Sequence, residues 1–217
     1  MKLYKVRSLT SLEFIVDILF NERLYCAHFA DLNDPFEGIY LSGARFPQEV
    51  IERIDLERTA QESPEQPVER QEFNRICSLS GSVEDFRLWS YYGDGHRGVA
   101  VEIDFAGHES DLTSVRYSDS LDEFSDQDPH DMSMDELLSV KTTQWEYERE
   151  SRIVQKDPYY SVAGRVTGLY LGARISRERQ ALLEKLVPQS VPIYVTRINV
   201  GRLSVEPKEQ LQRAQKR

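Results

Sequence analysis

Apolar residues recur at helical spacing at two places along the chain. The first stripe predicts a helix that begins after Thr10, whose hydroxyl together with Glu13 three residues later has the pattern of a capping box. This stripe consists of Leu12, Ile15, Val16, Leu19 and Phe20. The second is an amphipathic helix over residues 177–187, which Ser176 is expected to cap. Shorter helices are predicted at 47–58, 84–92 and 134–140.

Short apolar or alternating runs between these helices predict strands. They fall at residues 3–7, 24–29, 75–80, 98–105, 148–155, 166–172, 191–200 and 203–205. Strands and helices mix without the strict β-α-β alternation of a doubly wound sheet. The order therefore favours an α+β fold, with a mixed or mostly antiparallel sheet, split or continuous, and flanking helices.

Length and composition predict one domain. The chain has 217 residues, which is within the usual range for a single core, so residues 1–217 are assigned to one domain. Residues 61–67 are linker-like and predict a surface loop. Residues 118–136 hold eight acidic residues and no Lys or Arg, and predict a solvated acidic loop. Residues 208–217 predict a polar tail.

Net charge and cysteine content indicate the cellular compartment of the protein and the classes of partner that it can bind. The net charge of −10 makes nucleic acid an unexpected partner, because phosphate neutralisation needs clustered Lys and Arg. No apolar run approaches the length of a membrane span, and no signal-peptide core follows the N-terminus. Cys26 and Cys77 both stand among apolar residues, which predicts buried, reduced thiols. We therefore expect a soluble, cytoplasmic protein with no membrane association.

One motif can be set aside, and metal chemistry has little support. The segment from Gly93 to Gly98 matches the dinucleotide pattern G-x-G-x-x-G, but a predicted helix precedes it and a predicted strand follows. That order is the reverse of what pyrophosphate binding requires, so a glycine-rich turn is the better interpretation. The four histidines show no ligand spacing, and no metal is expected.

Three separated segments carry polar groups that a core does not need. They are Arg7, Ser78-Leu79-Ser80, and the run from Trp145 to Arg152. Strand periodicity places Glu148, Glu150 and Arg152 on one face, where two carboxylates repel unless a cation or a ligand lies between them. One interpretation is therefore a salt-bridge ladder, with Arg152 as the cation and Arg7 as a further candidate.

The order arginine, S-x-S, aromatic-x-x-E-x-E resembles the R-S-E class of ADP-ribosyltransferases. The resemblance implies a compact split sheet that holds NAD in a cleft, with Arg7 on its phosphate or ribose. Ser78, with Ser80 in the same motif, would hold the nicotinamide ribose and steady the catalytic glutamate.

That glutamate would be Glu150, which the resemblance places on the ribose 2′-hydroxyl, stabilising the cationic transition state as nicotinamide leaves. Glu148 would orient or deprotonate the acceptor, and Trp145 would belong to the loop that recognises it. The acceptor, protein or other, is not specified. Arg152 is a further candidate at this substrate surface.

Over nearly its whole length the chain also resembles a bacterial family called domain of unknown function 2971. The matching pieces are Leu3-Tyr4-Lys5, Asn33-Asp34-Pro35-Phe36-Glu37, Cys77-Ser78-Leu79-Ser80, Leu88-Trp89-Ser90-Tyr91-Tyr92 with His96 and Gly98, Lys141 with the run from Trp145 to Arg152, and residues 169–172. The family implies no reaction, but its motifs add candidates to the cleft.

Each added candidate has two interpretations. Asn33, Asp34 and Glu37 form either a polar wall or a self-bonded turn. The pair Trp89 and Tyr92, three residues apart, either packs in the core or stacks on a nucleotide ring.

His96 is the last of these candidates. It follows glycines on a loop, where it is either a titrating or phosphate-binding group or a loop hydrogen bond.

Two classes of function stay open. One is an enzyme that cleaves NAD or transfers ADP-ribose. The other is a non-catalytic domain that binds a nucleotide or a protein in the same cleft. A more distant third is a metal-dependent hydrolase or nuclease, whose cation would need Asp34, Glu37, Glu148 and Glu150 to converge.

Overall fold

A computed structural model describes residues 1–28, 31–34, 75–119, 134–202 and 204–212 of the chain. These residues form an α+β fold with a mixed, mostly antiparallel set of strands, which confirms the predicted fold class. The helices are α1 (Leu12–Phe20), α2 (Phe86–Tyr91), α3 (Met134–Leu137) and α4 (Arg177–Leu186). No helix within the described ranges is long and apolar enough to span a membrane.

The strands, in chain order, are β1 (Lys2–Arg7), β2 (Arg23–Tyr25), β3 (Ala27–His28), β4 (Arg75–Ser80), β5 (Val99–Asp104), β6 (Thr113–Ser114), β7 (Arg116–Tyr117), β8 (Val140–Lys141), β9 (Glu150–Gln155), β10 (Tyr159–Ser161), β11 (Val166–Leu171), β12 (Ile193–Asn199) and β13 (Ser204–Gln210). Their contacts divide the chain into two compact units, each built from separated segments. The first unit is Met1–Tyr25, Leu79–Glu109 and Tyr159–Arg217, and the second is Cys26–Ser78 and Ser110–Pro158.

The first unit is built on five neighbouring strands in the order β13-β12-β11-β5-β1. β11 and β12 are parallel, and the other pairs are antiparallel. β5 lies between β1 and β11 and is buried along nearly its whole length, as its apolar sequence predicts. Ser80, the last residue of β4, pairs with Tyr4 of β1. The buried side chains of β1, β5 and β11 form much of this core.

The two longer helices of the first unit begin differently. The Ser176 hydroxyl accepts a hydrogen bond from the Arg179 N–H at 3.2 Å, so the predicted cap of α4 is confirmed. The predicted capping box of α1 is wrong, because Ser11 precedes the helix and makes no side-chain cap. The Thr10 amide instead donates to the Ser8 hydroxyl, and the two hydroxyls bond each other at 2.8 Å. The Thr10 hydroxyl, which was expected to cap the helix, is therefore bonded to Ser8 instead.

The glycine-rich turn lies between α2 and β5, in the order that argued against a dinucleotide fingerprint. Asp94, Gly95 and His96 all have positive φ angles, which reverse the chain within a few residues. At Gly98 a Cβ atom would lie 2.2 Å from the Arg7 carbonyl oxygen, so the backbone of β1 passes too close for any side chain. The glycine at position 98 is therefore required by the close packing of this turn against β1.

The second unit departs most from the predicted elements. β3 pairs with β4, and β6 pairs with β9, both antiparallel, while the two-residue strands β7 and β8 are parallel. The strand predicted from residue 148 begins two residues later, at Glu150. Thr143–Glu148 is a 3₁₀ helix that ends at Arg149, whose φ of 45° turns the chain into β9. The predicted helix 134–140 is a single turn, followed by β8.

Several predicted features lie partly or wholly outside the residues that the structure describes. The helix at 47–58, the linker-like residues 61–67, Glu37 and most of the acidic segment 118–136 lie outside the described residues. The described end of that segment is the start of α3. β13 continues to Gln210, into the segment predicted as a polar tail. The single-domain assignment of 1–217 stays a prediction.

Candidate functional site

Four charged side chains of the second unit are buried together. We call Lys141, Glu148, Glu150 and Arg152 the buried charge cluster; each is at most 5% exposed. The Lys141 ammonium lies 2.9 Å from Glu148 Oε2 and 2.7 Å from Glu150 Oε2. Arg152 Nε donates to Glu150 Oε1 at 2.7 Å. Two cations face two carboxylates, so the cluster is neutral as a whole.

Local structure explains how these side chains meet. Glu148 is the last residue of the 3₁₀ helix. Arg149 has a left-handed backbone conformation that turns the chain, and β9 begins at Glu150. Arg152 follows two residues later on the same strand face, and Lys141 comes from β8. The prediction that Glu148, Glu150 and Arg152 lie together is therefore right in its result. It was wrong in its reason, since Glu148 is not part of the strand.

Glu150 is held in its ionised form. Burial by itself would raise the pKa of this carboxyl, but Arg152 and Lys141 outweigh that effect and hold the pKa well below its usual range. The Glu150 N–H donates to the Tyr117 hydroxyl oxygen at 2.7 Å, and the Arg152 guanidinium donates to the Leu138 carbonyl. Burial raises the pKa of Tyr117 to about 12, so its hydroxyl stays protonated.

This geometry limits what Glu150 can do. Each of its oxygens lies 2.7 Å from a cationic nitrogen, and its side chain is 2% exposed. Both carboxylate oxygens therefore face cationic nitrogens, and the side chain has almost no contact with solvent. Lys141 was not among the site residues predicted from the sequence. Its place in the quoted family motif, beside the run from Trp145 to Arg152, was the available signal.

Two aromatic rings lie beside the buried charge cluster. The Lys141 ammonium is 5.0 Å from the centre of the Trp145 ring, within the range of a cation–π contact. The Trp145 and Tyr147 rings are 6.1 Å apart, with their planes tilted by 32°. Both side chains are partly exposed. The cluster therefore supports an aromatic surface from below, which we call the Trp145–Tyr147 pair.

Other candidates of the second unit are simpler to describe. Asn33 is exposed, whereas Asp34 is 5% exposed. Glu37 lies outside the described residues, so the polar wall and the self-bonded turn both stay predictions. Ser78 is partly buried within β4.

Candidates of the first unit are engaged in local structure. The Arg7 guanidinium lies 4.9 Å from the centre of the Phe14 ring. The Ser80 hydroxyl donates to the Ser82 carbonyl at 2.8 Å and accepts from the Ser82 N–H, which is a turn-forming pattern.

The aromatic candidates of α2 belong largely to the core. Trp89 is fully buried, and its ring N–H donates to the Val83 carbonyl at 2.8 Å. This agrees with the core-packing interpretation, while Tyr92 is partly buried. The His96 ring is stacked on Trp89 with 6.4 Å between centres, and its Nε2 is 3.4 Å from the Ser90 hydroxyl. Burial, with Arg174 nearby, lowers the pKa of His96 below its ordinary value.

A second buried carboxylate, which the sequence did not single out, lies in the first unit. Glu102 of β5 accepts from Lys2 Nζ and the Thr167 hydroxyl at Oε1, both at 2.7 Å. Its Oε2 accepts from the hydroxyls of Tyr4 and Tyr170, at 3.1 and 2.9 Å. Burial by itself would raise the pKa of Glu102, but these donors lower it on balance. We call this set the hydroxyl-bound carboxylate.

Comparison of the chain with protein-family models, with curated proteins and with solved structures gives no match. Among the described residues, no group of His, Cys, Asp and Glu side chains is arranged to hold a metal ion. The two resemblances therefore rest on the motifs quoted above, and the functions that they imply stay proposals.

Proposed function

We propose that this chain is a non-catalytic nucleotide-binding protein in which Glu150 stabilises the fold of the second unit. The observation that carries the proposal is the pairing of Glu150 with both Lys141 and Arg152 at 2.7 Å, within the buried charge cluster. Of the two functions left open by the sequence, this one requires no change in that geometry.

The alternative, NAD cleavage, would require Glu150 to give up one of its ion pairs. The carboxylate would have to give one oxygen to the ribose 2′-hydroxyl and so leave Lys141 or Arg152 with an uncompensated charge. Breaking a buried ion pair in this way costs about 3–5 kcal/mol. A transition state would have to recover that energy before any acceleration followed.

The Trp145–Tyr147 pair supports the choice of a nucleotide as ligand. Partly exposed aromatic rings beside a buried cation offer a face on which a flat base can stack, worth about 1–3 kcal/mol for each base. The resemblance to a family that binds NAD makes NAD the first nucleotide to test. Its adenine and nicotinamide rings both suit such a surface.

The enzyme stays the second candidate for one specific reason. Glu150 is held ionised, which is the form that a cationic transition state requires, and Lys141 links it to Glu148. The R-S-E resemblance would then assign Ser78, a residue of the same unit, to NAD binding. In this proposal the ion pairs open when NAD enters.

Calorimetric titration of the purified protein with NAD tests the first proposal. We expect Trp145→Ala to weaken binding about 10-fold, because it removes the stacking face, and Trp145→Phe to retain most of it. Tyr91→Ala is the matched control, since Tyr91 is an exposed aromatic residue of the first unit. An absence of NAD binding to the wild-type protein would contradict the proposal, and so would unchanged binding in Trp145→Ala.

A further inference from the structure

The two cysteines of the chain are brought together by the pairing of two strands. β3 and β4 are antiparallel, with Ala27 opposite Ile76 and His28 opposite Arg75. In an antiparallel ladder, one step back along one strand is one step forward along the other. Extending this register by one residue before the start of β3 places Cys26 opposite Cys77. Both are fully buried thiols of the second unit.

Hydrogen bonding shows which kind of pair this is. The Cys26 N–H donates to the Pro158 carbonyl at 2.9 Å, and so it does not donate to β4. A residue whose N–H is directed away from the neighbouring strand belongs to a non-hydrogen-bonded pair, in which the Cα atoms are about 4.5 Å apart. Disulfides form at Cα separations of about 4.4–6.8 Å. Opposite residues also share a sheet face, so the two sulfur atoms lie on the same side.

The surroundings of the pair suit thiol chemistry. Arg75 and His28 lie two residues from Cys77 and Cys26, which puts them on the same face as the thiols. Arg75 also donates to the Cys26 carbonyl at 3.4 Å. The amide of Gln155, a partly buried residue, is 3.6 Å from Cys26 Sγ. A neighbouring guanidinium favours the thiolate, which is the nucleophile in disulfide exchange.

We propose that Cys26 and Cys77 form a reversible cross-strand disulfide when the protein meets a small-molecule disulfide such as oxidised glutathione. Because both thiols are fully buried, local opening of the second unit must first expose one of them. Its thiolate then attacks a sulfur of the small disulfide and expels one small thiolate. The other cysteine thiolate then attacks the mixed disulfide and expels the second. One protein S–S bond replaces two S–H bonds, the small disulfide is reduced to two thiols, and the two protons go to the expelled thiolates.

The disulfide would stabilise the second unit as a covalent cross-link between β4 and the residue before β3. It would close the chain from residue 26 to residue 77 into a covalent loop, and long loops lose the most chain entropy in the unfolded state. Strand pairing already holds the two positions together, so the bond requires little rearrangement of the folded protein. We expect oxidation to raise the melting midpoint by roughly 5–10 °C, and reduction to reverse the shift.

The experiment uses the full, folded chain. The protein is incubated with oxidised glutathione without denaturant, remaining thiols are blocked by alkylation, and the digest is analysed by mass spectrometry without reduction. We expect a cross-linked peptide pair joining Cys26 to Cys77, an intact mass lower by two hydrogen atoms, and the higher melting midpoint. Cys26→Ser and Cys77→Ser are matched controls, each of which should lack both the cross-link and the shift.

The wild-type protein decides the question even if a serine variant folds poorly. Two thiols that stay reduced under native conditions, yet cross-link after denaturation, would overturn the proposal, since the native fold would then keep the thiols either apart or out of reach of the oxidant. A disulfide between two copies of the chain, seen on a non-reducing gel, would overturn it as well. A stable mixed disulfide with glutathione at either cysteine would show that the partner thiol is out of reach.

Discussion

Glu102 in the first unit and Glu150 in the second are both almost fully buried carboxylates, but they are neutralised differently. Glu150 is bound by two cations, Lys141 and Arg152, that are themselves buried. Glu102 is bound by one ammonium, from the half-exposed Lys2, and by three neutral hydroxyls. Both arrangements satisfy the carboxylate, and both lower its pKa.

The two carboxylates differ in the charge that is left uncompensated when one of their partners is removed. Removing a hydroxyl from the hydroxyl-bound carboxylate leaves the other donors in place and creates no new charge. Removing a cation from the buried charge cluster leaves a net negative charge in a dry environment, which is far more costly. The second unit should therefore be the more fragile of the two to single substitutions at its buried charges.

The largest effect is expected from Arg152→Met. This change leaves the carboxylates of Glu148 and Glu150 with Lys141 as their remaining partner within the buried charge cluster. We expect it to lower the free energy of unfolding by about 3–5 kcal/mol, measured by urea denaturation. A loss below about 1 kcal/mol would mean that water reaches the cluster, and the contrast with Glu102 would fail.

A second effect is the loss of stability in acid. The folded-state pKa of Glu150 is lowered, so its contribution is fully present above the ordinary glutamate pKa of about 4.3 and is lost as the pH falls towards the folded value. One such carboxyl contributes a slope of at most about 1.4 kcal/mol for each pH unit. Urea midpoints from pH 7 to pH 3 should fall more steeply for wild type than for Glu150→Gln. Parallel curves would contradict the assignment.

A smaller effect is expected from Tyr170→Phe in the first unit. The change removes one hydroxyl from Glu102, which keeps Lys2, Tyr4 and Thr167 as donors. Because the hydroxyl donates to an ionised carboxylate that keeps three other donors, we expect a loss of about 1.5–2 kcal/mol by the same denaturation measurement. A loss as large as that of Arg152→Met would show that the hydroxyls matter as much as buried cations.

The smallest effect is expected from Lys2→Met. The Lys2 side chain is 54% exposed, so water can take the place of its ammonium beside Glu102, whose three hydroxyl donors remain in place. We expect a loss of about 0.5 kcal/mol, decreasing further in high salt. Lys141→Met is the matched comparison, since it removes the same group from a buried position. Equal losses in the two variants would break the distinction between the units.

Much of the fold followed from periodicity. The strands β1, β4, β5 and β11 and the helices α1 and α4 were predicted closely, because their apolar spacing and, for α4, the Ser176 cap are local signals. Short strands such as β6 and β8 depend on pairing between distant segments, which a local pattern does not reveal.

The site was predicted less completely. The grouping of Glu150 and Arg152 followed from their spacing on β9, but Glu148 precedes that strand and Lys141 comes from a separate one. The left-handed turn at Arg149 also had no glycine to signal it. Glu102 looked like an ordinary polar residue in a strand, since its partners come from two other strands, β1 and β11, that are distant in sequence.

The central claim is that Glu150 is a structural ion-paired carboxylate and that the protein binds a nucleotide without cleaving it. Nicotinamide release from NAD, measured for wild type beside Glu150→Gln at a temperature where both are folded by circular dichroism, tests it most directly. We expect NAD binding by calorimetry with no release above background in either protein. Release by wild type that disappears in folded Glu150→Gln would show that Glu150 is catalytic and that the protein is an enzyme.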